Sequence, residues 1–488
     1  MPTPSPHHTE PPAGGKRGDA SRAPRPAPAA TEPHVAPDRA SLWPSDEPAV
    51  LPDNAPRSVI RDSLYDVIPL GALELDLIAT PAFVRLQGVK QLGFVYRVWP
   101  GATHSRFEHS LGVYYLMLRA LRALLARPGG LAGVATADLR TMLAAALLHD
   151  IGHYPFSHAI EELGHPIVPH ERVGRAIIAE GAVAEVLARH GLDPARVAGL
   201  VDPARGQPLP APDRLLVRLL SGALDVDKLD YLPRDARACN VPYGGVDVPR
   251  LLSALTLLTT PDGPALGVND KGVSPLNSLL HARQEMFDNV YWHHTNRAMM
   301  AMLLRAVQEA LAAGAIQPER LRGHDDASLL DALARPEMPA ATRALVDDLR
   351  LRRPYKVALE ISSHAGRLFS RLDALFWDQG RRRRVELALA AALARATGAD
   401  VPDHGLLIDI PKPEKWEMDV LVGFAAPPVG MGPLLTWAEA TGQRPSDLGI
   451  YEQHQRRIRV VSQEALRGAL GAGGPATILA ALEGALDA

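Results

Sequence analysis

The stretch Leu147-Leu148-His149-Asp150-Ile151-Gly152-His153-Tyr154-Pro155-Phe156-Ser157-His158 places three histidines and an aspartate inside otherwise apolar sequence. Before it, Leu139, Met142, Leu143, Ala146 and Leu147 recur at helical spacing. The spacing predicts an amphipathic helix over Thr136 to Leu148 whose end delivers His149 and Asp150 into the interior. A buried charge is costly unless it is paired or bound to metal. An adjacent His-Asp at the end of an apolar helix therefore points to divalent-cation ligands, and this donor set suits Mn, Fe, Zn or Mg. For the dipeptide alone, a core histidine beside a capping aspartate is the commoner arrangement, so the choice rests on the rest of the chain.

Composition narrows the frame. The 488 residues, 47% of them hydrophobic, support two or three domains and a sizeable core. Abundant Ala and Leu favour helix, so a mainly α fold is expected. A net charge of −3 gives no global case for a nucleic-acid or membrane partner. The single cysteine, Cys239, excludes an internal disulfide and a thiolate metal site, and it fits a reducing cytosol. No apolar run reaches the roughly 18 residues of a membrane helix, and the first residues lack the apolar core of a signal peptide. A soluble, cytoplasmic protein is the expectation.

Residues 1–56 are rich in Pro, Ala and Gly without apolar periodicity and are expected to form a disordered tail. Short strands or a hairpin are predicted over Ser58 to Leu70, then helices over Leu73 to Ala79 and Pro81 to Gln91. Ser105 and Glu108 form a capping box opening the helix that runs to Leu125. Arg106 and His109 lie in its first turn, where an anion or metal could bind; exposed polar residues at a helix start account for that segment alone equally well. Gly152 and Pro155 predict a break between His149 and His158, and Pro169-His170-Glu171-Arg172 starts another helix.

Asp227, Tyr231 and Asp235 recur every four residues, which places them on one helix face over roughly 12 Å, close to the length of a nucleotide. A solvated charged face is the competing reading, and Pro233 predicts a kink between Tyr231 and Asp235. A long, interrupted helix over Pro275 to Ala313 carries Arg283, Tyr291, His293 and His294. Leu406 to Ile410, Val420 to Phe424 and Ile458 to Val461 read as strands of one small sheet, and Ser462 to Leu486 reads as helix. Gly314 and Pro318 suggest a boundary near 315, giving a core over 57–314 and a smaller α+β region over 315–488.

Together, His109, His149-Asp150 and Asp227 have the order and spacing of the H…HD…D set of the HD-domain metal-dependent phosphohydrolases. Arg106-Phe107-Glu108-His109-Ser110-Leu111-Gly112, His149-Asp150-Ile151-Gly152-His153 and Asp225-Val226-Asp227-Lys228-Leu229-Asp230-Tyr231 narrow the match. The chain resembles the deoxynucleoside triphosphate (dNTP) triphosphohydrolases of that family, well over residues 57–310 and more loosely beyond.

The resemblance implies an HD-domain helical core with a C-terminal α+β region for regulation and oligomerisation. It implies a divalent metal ion on His109, His149, Asp150 and Asp227, and hydrolysis of dNTPs to deoxynucleoside and inorganic triphosphate. His158 would be the proton donor, with Glu161 and Glu171 as its supporting acids. His153, His170, Arg106, Lys228 and Arg283 would face phosphates, Gln91 and Asp235 the 3′-hydroxyl, and Leu92, Tyr231 and Tyr291 the place of a ribose 2′-hydroxyl. A homotetramer is implied.

A guanine-nucleotide regulatory site of that family falls here on Ala79, Val84 and Gln87, which lack its polar contacts, so GTP activation is not expected. Some bacterial members of that family instead use a dNTP effector at a neighbouring interface, to which Val98, Trp99, His293 and His294 could contribute. The runs Arg350 to Arg353 and Arg381 to Arg384 read as solvated faces or partner contacts rather than phosphate sites. An HD phosphohydrolase for an alarmone or cyclic nucleotide is the alternative activity, and a nucleotide-sensing or nucleic-acid-binding protein the alternative class. The sugar-contacting residues and the intact His158-Glu161-Glu171 set favour the dNTP reading.

Overall fold

The computed structural model describes residues 57–488, apart from 128–129, 132–133, 204–208, 262, 415–418, 471–473 and 488. The tail expected over 1–56 lies outside the described residues. Among the described residues the fold is mainly helical with three small sheets. It opens on the hairpin Ser58–Asp62 and Asp66–Leu70, paired antiparallel from Ser58 opposite Leu70 to Asp62 opposite Asp66.

Three helices carry the metal-ligand motifs: Arg106–Leu125, Thr136–Leu148 and Val226–Cys239. The first begins as its capping box requires, with Ser105 accepting from the Glu108 backbone N–H and Glu108 accepting from the Ser105 backbone N–H. The second is buried on every side from Thr141 to Leu148 rather than along one stripe, as for a helix that crosses a core. The third continues through Pro233, so the expected kink does not end it.

The helix predicted over Pro81 to Gln91 is only Pro81–Val84, followed by a 3-10 turn over Arg85–Gly88. The long helix predicted over Pro275 to Ala313 is two, Val273–Met286 and His294–Ala312, joined by a π-helical turn over Phe287–Tyr291. That turn alters the register between Arg283 and Tyr291 from a simple eight-residue spacing. The predicted single sheet is also two. Leu406–Asp409 and Ile458–Ser462 join Lys356–Ile361 in one sheet, whereas Leu421–Gly423 lies between Gly263–Asn269 and Leu434–Thr436 in another.

Residue 315 does not divide the packing. One core gathers Phe94, Tyr154, Phe156, Met302, Leu303 and Val307 with Leu329, Leu345, Leu407 and Val461. Removing such a side chain to Ala costs about 2–5 kcal/mol, so both sides of the expected boundary depend on the same contacts. Buried Arg297 also crosses it, bonding Glu162 at 2.8 and 3.1 Å and Asp409 at 2.7 Å. This ion network ties the segment bearing His158 to a C-terminal strand.

Candidate metal centre and nucleotide pocket

His109, in the first turn of Arg106–Leu125, and His149, just past the end of Thr136–Leu148, meet with ring centroids 5.2 Å apart. Each ring is oriented through Nδ1. That of His109 lies 2.8 Å from Asp230 Oδ2, and that of His149 lies 2.9 Å from the Ala146 carbonyl. Such partners make Nδ1 the protonated nitrogen and leave Nε2 as a metal-binding lone pair. Both Nε2 atoms are buried and lack a well-directed hydrogen bond among the described residues.

Asp227 Oδ1 stands 2.9 Å from His109 Nε2 and 3.8 Å from His149 Nε2. One ligand atom from each of the three lies within 4.8 Å of the others, a spacing that suits donors around a cation at about 2 Å from each. Asp150 borders the same space, with Oδ1 3.3 Å from His149 Nε2 and Oδ2 3.6 Å from His109 Nε2. Its Oδ2 also accepts from Arg106 Nη1 at 2.5 Å. Two imidazoles and two carboxylates, with two buried nitrogens that lack a well-directed hydrogen bond among the described residues, fit a divalent metal ion.

The electrostatics agree. Burial alone would lower the His109 imidazole, yet Asp227 and Asp230 raise it to about 10. Burial would raise Asp150, but Arg106 and the neighbouring histidines hold it well below the usual range.

Asp230, to which the sequence reading gave no role, is central to this arrangement. Its carboxylate takes Arg234 Nε at 2.8 Å, Arg234 Nη2 at 2.9 Å and the Tyr65 hydroxyl at 2.7 Å. Arg234 continues to Asp62 at 2.8 Å, so the turn of the N-terminal hairpin supports the metal-facing histidine. Gly112 permits this approach, because a Cβ there would lie 1.9 Å from Asp230 Oδ1.

A second group adjoins the first. Glu161 binds His158 Nδ1 at 2.9 Å, and its other oxygen lies 3.0 Å from His170 Nδ1 and accepts the His170 backbone N–H at 2.6 Å. The His153 and His170 rings stack at 3.7 Å. Burial lowers the His153 imidazole well below its ordinary value, and Arg106 and His170 push it the same way, so it is neutral. Burial would raise Glu161, yet His170 and His158 hold it far below the carboxylate range. The His158 side chain is 61% exposed, at the open side of the group. Glu171 stands 3.6 Å from His170 Nδ1 and is therefore nearer to His170 than to the His158 pair it was expected to support.

Tyr291, placed by the π-helical turn, donates to Asp235 Oδ2 at 2.7 Å, and His104 Nε2 lies 2.8 Å from Asp235 Oδ1. The Tyr231 ring is 6.5 Å from both the Tyr291 and His109 rings. Gln91 Oε1 is buried without a hydrogen-bond partner among the described residues, and half-buried Leu92 follows it. Lys228 Nζ is held by Asp225 at 2.6 Å and the Gly222 carbonyl at 2.8 Å. Arg283 Nη2 lies 3.2 Å from Glu414 Oε2. His104 and Asp230 are flanked in sequence by named candidates, but their roles depend on partners 131 and 121 residues away.

At the expected effector position, the Trp99 ring lies 5.1 Å from His293, which stacks on His294 at 4.4 Å. Of the arginine runs, Arg350, Arg352 and Arg353 are exposed, in keeping with a solvated face. Arg382 departs from that reading, since it is buried 3.5 Å from Glu386, and Arg383 pairs with Glu309 at 2.7 Å.

Comparisons with known proteins agree with this geometry. The HD domain model matches residues 106–231, and the model of the HD associated region matches residues 246–471. An uncharacterized protein of Methanocaldococcus jannaschii is 33% identical over 276 residues, 56% of this chain and 54% of that protein. The deoxynucleoside triphosphate triphosphohydrolase SAMHD1 of Homo sapiens is 30% identical over 279 residues, 52% of this chain and 44% of that protein. The chain spans about half the length of these curated relatives. The crystal structure of a hypothetical protein from Aquifex aeolicus superposes with a TM-score of 0.63 at 25% identity, covering 85% of this chain and 99% of that one. No helix among the described residues is long and apolar enough to cross a membrane. With His109, His149 and Asp227 close enough together to hold a cation, and with an HD domain followed by an HD associated region, the chain belongs to the HD-domain family.

Proposed function

We propose that the protein hydrolyses dNTPs at the α-phosphorus, releasing the deoxynucleoside and inorganic triphosphate. The observation that carries this reading is the face of the helix Val226–Cys239. Asp227 faces the metal residues, and two turns on, about 12 Å along the axis, Asp235 is held by Tyr291 and His104. Metal chemistry and sugar recognition on one helix match the span of a nucleotide. The likeness to SAMHD1 supports the same substrate class.

A divalent ion held by His109, His149, Asp150 and Asp227 would polarise the α-phosphate and acidify the attacking water. Water oxygen bonds to phosphorus as the bond to the 5′-oxygen breaks. His158, oriented by Glu161 through Nδ1, would give a proton from Nε2 to the departing 5′-oxygen. Arg106 and His153 lie against Asp150 and His170 stacks on His153, so all three could face the phosphate oxygens, with Glu171 adding negative charge beside His170. Lys228 and Arg283 reach the outer phosphates by exchanging Asp225 and Glu414 for phosphate oxygens.

Asp235 accepts from the 3′-hydroxyl, and the Gln91 side-chain amide donates to the hydroxyl oxygen. Tyr231, Tyr291 and Leu92 close the space beside C2′, so a ribose hydroxyl would clash and stay unpaired. The Trp99, His293 and His294 group, with Val98, supports a dNTP effector site in a homo-oligomer.

Incubating the metal-loaded protein with each dNTP and NTP, and resolving products by ion-exchange chromatography, tests the reading. Triphosphate release from dNTPs is the expected result. Orthophosphate or diphosphate indicates another nucleotide phosphohydrolase, and binding without product indicates a nucleotide sensor.

A further inference from the structure

The part of the site beside the metal-ligand candidates is built on two loops, and a residue distant in sequence joins them. Asp326 Oδ1 accepts the Phe156 backbone N–H at 2.6 Å, and its Oδ2 accepts the Lys90 backbone N–H at 3.1 Å. Phe156 precedes Ser157 and His158, and Lys90 precedes Gln91 and Leu92. Phe156 and Ser157 both have left-handed backbones, with φ of 58° and 57°, which L side chains rarely adopt without support. Ser157 Oγ closes the opposite side through the Lys90 and Gln91 carbonyls at 2.8 and 3.1 Å.

Asp326 is buried and is not needed to cap its own helix, because Asp325 accepts the Ser328 backbone N–H at 2.8 Å. Its two oxygens are directed outward, to the two loops. The adjoining turn is fastened again through Arg85, which donates to the His324 carbonyl at 3.0 Å and to the Ile151 and His153 carbonyls at 3.0 and 2.9 Å. The packing leaves no slack, since a Cβ on Gly88 would lie 2.5 Å from Asp325 Oδ2.

We propose that Asp326 is a positioning residue, a clamp by which the C-terminal region fixes the His158 turn against the Gln91–Leu92 loop. The inference rests on the proposed roles of His158 and Gln91. It makes the His324–Asp326 turn a point where changes in the C-terminal region reach catalysis without touching the metal ligands. Misplacing a proton donor by about 1 Å costs roughly 100-fold in rate.

The test compares wild type with Asp326→Asn, Asp326→Glu and Gly88→Ala, the last displacing the turn from the opposite side. Hydrogen–deuterium exchange is read on peptides spanning residues 88–95 and 154–163, alongside kcat, KM and bound metal. In Asp326→Asn, exchange should accelerate in both peptides and kcat should fall roughly 10- to 100-fold, with bound metal unchanged. Asp326→Glu should fall between, and Gly88→Ala should reproduce the loss. Unchanged exchange overturns the clamp, as does faster exchange with unchanged kcat or a parallel loss of metal. Should the wild type release no triphosphate, the reaction reading fails separately and exchange alone decides the clamp.

Discussion

His109 points Nδ1 at Asp230, 2.8 Å away, and so presents Nε2 to Asp227 at 2.9 Å. Asp230 thereby selects the tautomer that binds metal. Asp230→Ala should weaken metal affinity about 10- to 100-fold, as read by competition against a chromophoric chelator. Asp230→Asn, which keeps an acceptor, should lose less. Unaltered affinity in Asp230→Ala would contradict the role.

The Glu161–His170 pair makes stability pH-dependent. Burial alone would lower His170, but Glu161, followed by Glu171 and Asp150, raises it above its ordinary value. A raised histidine stabilises the fold fully below its unfolded value of about 6.5 and loses that contribution as pH climbs through the folded value. Glu161, held low, keeps its share down to strongly acid pH. Glu161→Gln should therefore lower Tm more at pH 6 than at pH 9, and an equal drop at both would refute the coupling.

Sugar discrimination should depend on Tyr231. Tyr231→Ala opens space beside the position proposed for C2′ and should reduce the dATP-to-ATP ratio of kcat/KM by about tenfold or more. Equal turnover of the two by the wild-type protein would remove the basis of the proposed pocket.

Arg283 Nη2 lies 3.2 Å from Glu414 Oε2, so under the proposed function a substrate phosphate would have to displace that carboxylate. Ion pairs of this exposure contribute about 0.2–1 kcal/mol, so Glu414→Gln should lower KM about two- to fivefold with kcat little changed. A raised KM would show that Glu414 supports the site instead.

Features encoded locally were legible in the sequence. The Ser105–Glu108 box needs only three residues of spacing, and the Ser58–Leu70 hairpin and the Val226–Cys239 face follow from short-range pattern. The H…HD…D order pointed to His109, His149, Asp150 and Asp227, and the structure brings ligand atoms of His109, His149 and Asp227 within 4.8 Å of one another. The strands Leu255–Thr260 and Gly263–Asn269 passed unnoticed although Thr-Leu-Leu-Thr-Thr before Pro-Asp-Gly is a hairpin signal. Lys356–Ile361 was masked by the arginines before it. Asp326 was not legible at all, because its partners are 170 and 236 residues away and its neighbour Asp325 explains the helix start alone. The π-helical turn at Phe287–Tyr291 likewise leaves no periodic trace.

Metal content and triphosphate release measured together on Asp227→Ala test the central claim most directly. The account predicts that bound metal, read by inductively coupled plasma mass spectrometry, and dNTP turnover both vanish while the helical circular dichroism spectrum is retained. A folded Asp227→Ala protein that keeps its metal and its turnover would contradict it.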